Sequence, residues 1–433
     1  MDASTRDRTM DQLQAMGVSQ MRLLVYWKDV APSADSKTRP SVDLADPASY
    51  AWGAYDPVFT SAREHGIEVI PTLTLPGPKW AMRDKKDFLS YPSANLFGRF
   101  VEAVAKRYGA DVDTWAFGNE PNHPDFLRPQ YKGGEARSPK IYRALYQAGT
   151  AALDRTGNGE DTKLLGELLP RGSRGERVTP LAFLRGVLCL NRDYKKIGSC
   201  GRLDVDGISA HPYSTAGQNP WFASPNKDDV TIGTLSRLTS ALDKAARAGV
   251  IRKSMPVWLT EFGVQSTPDR ITGVSLQKQI EYRAMAERMS FANPRVRAFS
   301  QYLLTDDPPK ENVSPSNRYG NFESGLRFAT GNDKPALAAF PLTISAQRTS
   351  KNVSLWGLVR PADGVTTVKI LATKKGSSKY TTLKSVKTDS RGSFKTTTSY
   401  VANRRYKLQW DDPRAEALPQ SKQDWGVTAI KRP

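Results

Sequence analysis

The segment Trp115-Ala116-Phe117-Gly118-Asn119-Glu120-Pro121-Asn122 runs from apolar, strand-forming residues straight into an acidic one. Val257-Trp258-Leu259-Thr260-Glu261-Phe262-Gly263 repeats the arrangement further along the chain. Each reads as a buried β-strand with a carboxylate at its C-terminal end, and the strands containing them are predicted over Val112–Phe117 and Met255–Thr260. Comparable β-branched runs occupy Met21–Trp27, Ile67–Leu75, Thr162–Leu169, Val205–Ala210 and Val296–Leu304. Their starts lie about 40–50 residues apart. Helical patterns separate them. Ser93–Tyr108 places Phe97, Phe100, Val101 and Val104 on one face, and Ile232–Ala248 and Ser275–Phe291 carry similar faces. Strand–helix alternation implies a parallel sheet, and this repeat length suits a βα barrel. Trp115 and Trp258 are expected in the core, facing the helices.

Seven strands are counted, where a (β/α)8 barrel has eight. The chain opens on a predicted helix, Thr5–Met16, that leads into the Met21 strand. The first strand is therefore expected upstream of the given N-terminus, unless residues elsewhere fill its place. The fold class is read as α/β: a (β/α)8 TIM barrel over residues 1–340, with its first strand missing, followed by a small all-β sandwich over residues 341–433. The tail reads as six short strands separated by turn signals such as Lys375-Gly376-Ser377 and Ser390-Arg391-Gly392.

With 433 residues, 39% of them hydrophobic and 25% charged, the chain has the composition of a globular protein. No apolar run reaches the roughly 18–20 residues of a membrane span. Lys+Arg 63 against Asp+Glu 44 leave a net charge of +19, which favours anionic partners. The residues from Pro341 onward hold 18 Lys+Arg and 6 Asp+Glu, so this tail carries +12 of that charge. Its Lys-rich strands are expected to face solvent. They lack an aromatic platform for stacking bases, which argues against nucleic acid. The three histidines, His65, His123 and His211, have no metal-ligand spacing, and two cysteines do not make a zinc site. Walker, GxGxxG and GxSxG patterns are absent, so nucleotide and serine-hydrolase chemistry are disfavoured.

Active sites of βα barrels lie at the C-terminal ends of the strands, and two carboxylates on one rim are what glycoside hydrolysis needs. The paired motifs resemble the retaining glycoside hydrolases of clan A, of the family 39 or family 5 type, over roughly residues 5–340. With the missing strand counted as the first, Asn-Glu-Pro falls on strand four and Thr-Glu-Phe-Gly on strand seven. The resemblance implies Glu120 as general acid/base and Glu261 as nucleophile. It places Asn119 on the substrate's 2-hydroxyl. His211-Pro212-Tyr213 is similar to the family 5 His-x-Tyr, so Tyr213 would hydrogen-bond Glu261, and Arg22 matches the basic residue that supports the nucleophile. The family's pattern is not complete: Leu73-Thr74-Leu75-Pro76-Gly77-Pro78 lacks the family 5 histidine, and Ser300-Gln301-Tyr302 lacks the usual tryptophan. Retention would put the carboxyl groups about 5–5.5 Å apart, against ~6.5–9.5 Å for inversion.

Trp27, Trp52, Trp80, Trp221, Phe222 and Tyr302 fall at strand ends or in loops and are candidates for stacking on sugar. The loops Ser214–Asp229 and Thr305–Ser324 are candidate subsite walls. No metal or organic cofactor is implied. The resemblance points to a secreted or cell-surface enzyme of polysaccharide degradation, although Met1–Met10 is too polar for a signal peptide. In that setting Cys189 and Cys200, eleven residues apart, would form a disulfide; in the cytosol they would be free thiols. Val353–Lys395 resembles Ig-like modules of extracellular bacterial proteins, and the basic tail would suit an anionic glycan or cell-wall polymer. A non-catalytic glycan-binding protein on a degenerate barrel and a transglycosylase are the competing readings.

Overall fold

A computed structural model describes residues 2–214, 217, 219–315, 317–361, 364–411 and 425–432. All seven expected strands are present: β1 Gln20–Tyr26, β2 Glu68–Thr74, β3 Thr114–Phe117, β4 Thr162–Leu168, β5 Gly207–Ala210, β6 Val257–Phe262 and β7 Val296–Gln301. They pair in chain order into one parallel sheet. Among the described residues β1 and β7 are not paired with each other, so the sheet curls without closing. Burial follows from this. Strands β2 to β6 are almost wholly buried, whereas β1 buries only Val25 and β7 buries no residue fully.

The helices dress the outside of the sheet: α1 Ala3–Ala15, α2 Asp56–Glu64, α3 Ala94–Tyr108, α4 Ser138–Arg155, α5 Pro180–Val187, α6 Leu235–Arg247 and α7 Leu276–Phe291. The Ser93 hydroxyl caps α3 by accepting from the Leu96 amide, and Lys106 and Arg107 complement the dipole at its other end. The apolar face of α3 buries Phe97, Phe100, Val101 and Val104, and Phe100 stacks on Trp27 at 5.6 Å between ring centroids. Trp115 is in the core, as expected. Trp258 does not face the helices. It packs inside the sheet against Ile70, Ala116 and Leu164, where Gly207 makes room: a Cβ there would lie 2.3 Å from the indole.

The C-terminal part forms two antiparallel-rich sheets. The strands are β8 Leu342–Arg348, β9 Asn352–Val359, β10 Thr367–Thr373, β11 Tyr380–Lys387, β12 Ser393–Ser399, β13 Arg405–Gln409, β14 Val427–Thr428 and β15 Ile430–Lys431. One sheet has the order β12-β9-β8-β15, the other β11-β10-β13-β14. The lysines of β11 are solvent-facing, as expected. A single apolar cluster joins the sandwich residues Ile344, Leu355, Ile370 and Tyr406 to Met16, Ile280 and Leu337 of the preceding part. Buried Glu287 of α7 binds Arg283 at 3.0 Å, Thr343 Oγ1 at 3.1 Å and Arg360. Glu281 accepts from the backbone and hydroxyl of Thr428. The polar positions of α7 are thus spent on the sandwich, which is why this helix is less clearly two-faced in sequence than α3.

Cys189 and Cys200 are disulfide-bonded across a short loop that follows α5. Replacing both by alanine should lower the unfolding free energy by about 3 kcal/mol, the cost of releasing a loop of this size. Urea titration should show this as a lower midpoint, and wild type in reductant should fall to the same midpoint.

Candidate active site

Gly118 ends β3 at φ +80° and turns the chain over the rim; a Cβ there would lie 3.0 Å from the Tyr142 ring. The Tyr142 hydroxyl donates to the Phe117 carbonyl at 2.7 Å and accepts from the Gly166 amide at 2.8 Å, tying the ends of β3 and β4 together. Gly118 N–H donates to the Leu73 carbonyl and Asn119 N–H to Thr74 Oγ1, both at 2.9 Å. Glu120 follows at φ +39°, a left-handed backbone that residues with a Cβ adopt at a cost. Glu261 needs no such turn, because it sits within β6, one residue before the strand's end, and is 6% exposed. His211 and Tyr213 leave β5, with His211 N–H anchored to the Leu168 carbonyl at 2.9 Å.

Arg22 of β1 is in the middle. Its Nη1 donates to Glu261 Oε1 at 2.7 Å and its Nη2 to Asn119 Oδ1 at 2.6 Å. Its Nε donates to Thr72 Oγ1 at 3.0 Å and to Glu167 Oε1 at 2.8 Å, and Nη2 also binds Glu167 Oε2. Burial disfavours the guanidinium's charge, but Glu167 and Glu261 outweigh burial and hold it above its ordinary value. The other oxygen of Glu261, Oε2, accepts from the Tyr213 hydroxyl at 2.9 Å. Burial, reinforced by the Glu261 charge, raises Tyr213 well above its usual range, so it stays a donor.

Glu120 and Glu261 face each other. One oxygen from each, together with a His211 ring nitrogen, lie within 4.8 Å of one another. His211 Nδ1 is 2.9 Å from Glu120 Oε1 and 3.5 Å from Glu261 Oε2. Burial and then Arg22 push His211 well below the usual imidazole range, so it is neutral at pH 7. The two carboxyls are not equivalent. Burial first, and then the Glu261 charge, drive Glu120 well above the ordinary carboxylate range. Burial leaves Glu261 above its ordinary value too, with Arg22 and the Tyr213 hydroxyl opposing the rise and the Glu167 charge adding to it. Among the described residues Glu120, His211 and Glu261 are the one acid–imidazole group with spacing short enough for a cation. They do not fit one: both oxygens of Glu261 are taken by Arg22 and Tyr213, and a guanidinium lies against them.

The structure thus brings together Arg22, Asn119, Glu120, His211, Tyr213 and Glu261. Tyr302 stands beside them, its ring edge-on to Tyr213 at 6.3 Å. Three expectations are corrected. Trp27 is fully buried, packed between Phe100 and Trp80, and Trp80 is 4% exposed with its indole N–H on the Pro32 carbonyl. Trp52 is likewise core. The loops carrying these indoles fold back over α3, so none offers a face to sugar. Trp221 is half-buried on its loop, and among the described residues its ring joins none of the aromatic pairs around Tyr213. Residues 215, 216 and 218 of that loop lie outside the described residues. Two site residues escaped the sequence reading. Phe322 packs on Tyr302 at 4.9 Å and on Tyr213 at 6.0 Å, while itself 39% exposed. Glu167 was visible as an acid inside the apolar run Leu164–Leu168, a pattern that signals a paired charge.

No family model matches the chain, and no curated protein matches it. Solved structures do resemble it. A glucosidase from Croceicoccus marinus superposes with a TM-score of 0.55 over 92% of this chain and 90% of that one, at 13% identity. A family 39 glycoside hydrolase from the gut symbiont Bacteroides cellulosilyticus WH2 superposes with a TM-score of 0.51 over 91% of this chain and 78% of that one, at 17% identity. At these identities the likeness establishes a shared fold.

The raised Glu120 makes a stability prediction. A carboxyl raised in the folded state costs stability as the pH climbs from the ordinary glutamate value towards its own. Glu120→Gln should therefore melt higher than wild type at neutral and alkaline pH. The gain should fade below about pH 4, where the unfolded chain is also protonated. Melting curves across pH check this, and a gain that persists in acid would contradict it.

Proposed function

We propose that this chain is a retaining glycoside hydrolase that cleaves O-glycosidic bonds of a poly- or oligosaccharide. The observation that carries the proposal is the pair of facing carboxyls with one oxygen of each within 4.8 Å, Glu120 driven well towards its acid form and Glu261 opposed in that rise by the Arg22 charge. That division of labour between two carboxyls is the one glycoside cleavage needs. The close approach of the two groups supports retention over inversion, which needs a wider gap to admit water.

In the first step a Glu261 oxygen bonds to the anomeric carbon, the bond to the leaving oxygen breaks, and Glu120 gives that oxygen its proton. In the second, Glu120 takes a proton from water, the water oxygen bonds to the anomeric carbon, and Glu261 leaves as carboxylate. His211 contacts Glu120 through one nitrogen and suits both protonation states of the acid. The Asn119 oxygen is taken by Arg22, which leaves its amide N–H groups for a hydroxyl of the bound sugar. Tyr213, Tyr302 and Phe322 form an aromatic wall for the ring. The disulfide supports an oxidising, extracytoplasmic location. The exposed lysines of β11 suit an anionic glycan surface.

Product release from a panel of plant, fungal and bacterial-surface glycans, and from aryl glycosides, tests the proposal. Glu261→Gln should lower kcat at least about a thousandfold. Glu120→Gln should lower it by roughly 10²–10⁴ on substrates with poor leaving groups, and far less where the leaving group needs no proton. Nuclear magnetic resonance of the first-formed sugar should show the starting anomeric configuration. An inverted product would overturn the double displacement, and equal losses on all leaving groups would remove Glu120 from the acid role.

A further inference from the structure

Strand β4 departs from regular geometry at one place. Gly166 has φ +115°, Glu167 has φ +62°, and the register with β5 shifts between Gly166 and Leu168. This is a bulge, a device that re-aims a side chain. Glycine is required at its first position, because a Cβ on Gly166 would lie 2.7 Å from the Ser209 carbonyl oxygen. Glutamate at the second position takes a backbone disfavoured for any residue with a Cβ. The result is a carboxylate, 1% exposed, directed at the barrel axis in the middle of an apolar strand.

Every contact of that carboxylate leads to the reacting centre. Thr72 Oγ1 donates to Oε1 at 2.8 Å, and the Nε and Nη2 edge of Arg22 grips both oxygens as a fork. This leaves the Nη1 corner of the same guanidinium on Glu261 and the second Nη2 hydrogen on Asn119. A guanidinium is rigid and planar, so fixing one edge fixes the other. Two carboxylates thus share one buried cation, and only Glu261 reacts.

We propose that Glu167 is a positioning residue for the nucleophile: it is the resident counter-ion of Arg22, and it keeps that cation paired when Glu261 loses its charge to the sugar. The proposal rests on the retaining reading above. Were Arg22 held by Glu261 alone, forming the glycosyl ester would leave a guanidinium buried without a charge partner, which is strongly unfavourable. An undivided Arg22 would also hold Glu261 too firmly as an anion and blunt its attack. Sharing the cation between two carboxylates removes both difficulties, at the expense of a bulge in β4.

The groups facing Glu261 are Arg22 and Tyr26 from β1, Glu120 after β3, Glu167 from β4, His211 and Tyr213 after β5, and Tyr302 after β7. Removing the Glu167 charge leaves Arg22 undivided. In Glu167→Gln the Glu261 carboxyl, followed by ¹³C resonance of labelled glutamate, should titrate about one pH unit lower than in wild type. With an aryl glycoside kcat/KM, which reports formation of the ester, should fall roughly 10–100-fold, and kcat should fall less where breakdown of the ester limits turnover. Glu261→Gln should melt close to wild type and keep a slowly exchanging Arg22 Nε–H, because Glu167 still holds it. If Glu167→Gln does not fold, the Glu261→Gln protein alone carries the test through that Arg22 signal. An unmoved or raised Glu261 titration in folded Glu167→Gln would overturn the proposal. So would loss of the Arg22 signal in Glu261→Gln. The resonance readouts need no substrate: if they hold while no glycan is cleaved, the hydrolase reading fails and the charge sharing stands.

Discussion

A single buried guanidinium organises the barrel interior. Arg22 enters from β1 and is met by Thr72 from β2, Asn119 after β3, Glu167 from β4 and Glu261 from β6. Five separate segments of the chain therefore converge on one rigid plane. A cation taken out of water must be paired on all its donors or the fold loses more than it gains. That constraint fixes where the strand ends stand relative to one another. The asymmetry in the surroundings of the two carboxyls follows from it, because Glu261 touches the cation and Glu120 does not.

The scaffold around this centre divides its work. The middle strands are buried on both faces and hold the carboxylates still, while β1 and β7 at the sheet ends are more open. Site residues sit on strands or within a few residues of their ends, where the rigid sheet controls their direction. The strain is concentrated nearby: positive φ at Gly118 and Glu120 lies in the loop after β3, and at Gly166 and Glu167 in the bulge of β4. Tyr142 clamps the two places together from behind.

Much of this was legible in the residues themselves. The strands announced themselves because β-branched runs recur at even spacing. Glu120 and Glu261 stood out as a pair, because each follows such a run and both fall on the same rim. Phe340 marked the change of composition where the sandwich begins. What was not legible depends on contacts distant in sequence. Trp27 and Trp80 lie at strand ends, yet α3 covers them, and nothing local records that cover. Trp258 turns inwards because Gly207, far away in the chain, lacks a side chain. Glu167 was overlooked because its role depends on a bulge, and a strand pattern of period two does not reveal one.

The helix α7 shows one face to the barrel and, through Glu281, Arg283 and Glu287, another to the C-terminal sheets. The apolar cluster beneath it runs without a break from Met16 to Tyr406. The compositional border at Phe340 is therefore a poor place to truncate the chain. Cutting there would bare an oily surface and strand Glu287 without Arg360, so the shortened barrel would tend to aggregate. The basic sandwich is as much a lid on the barrel's flank as a separate module.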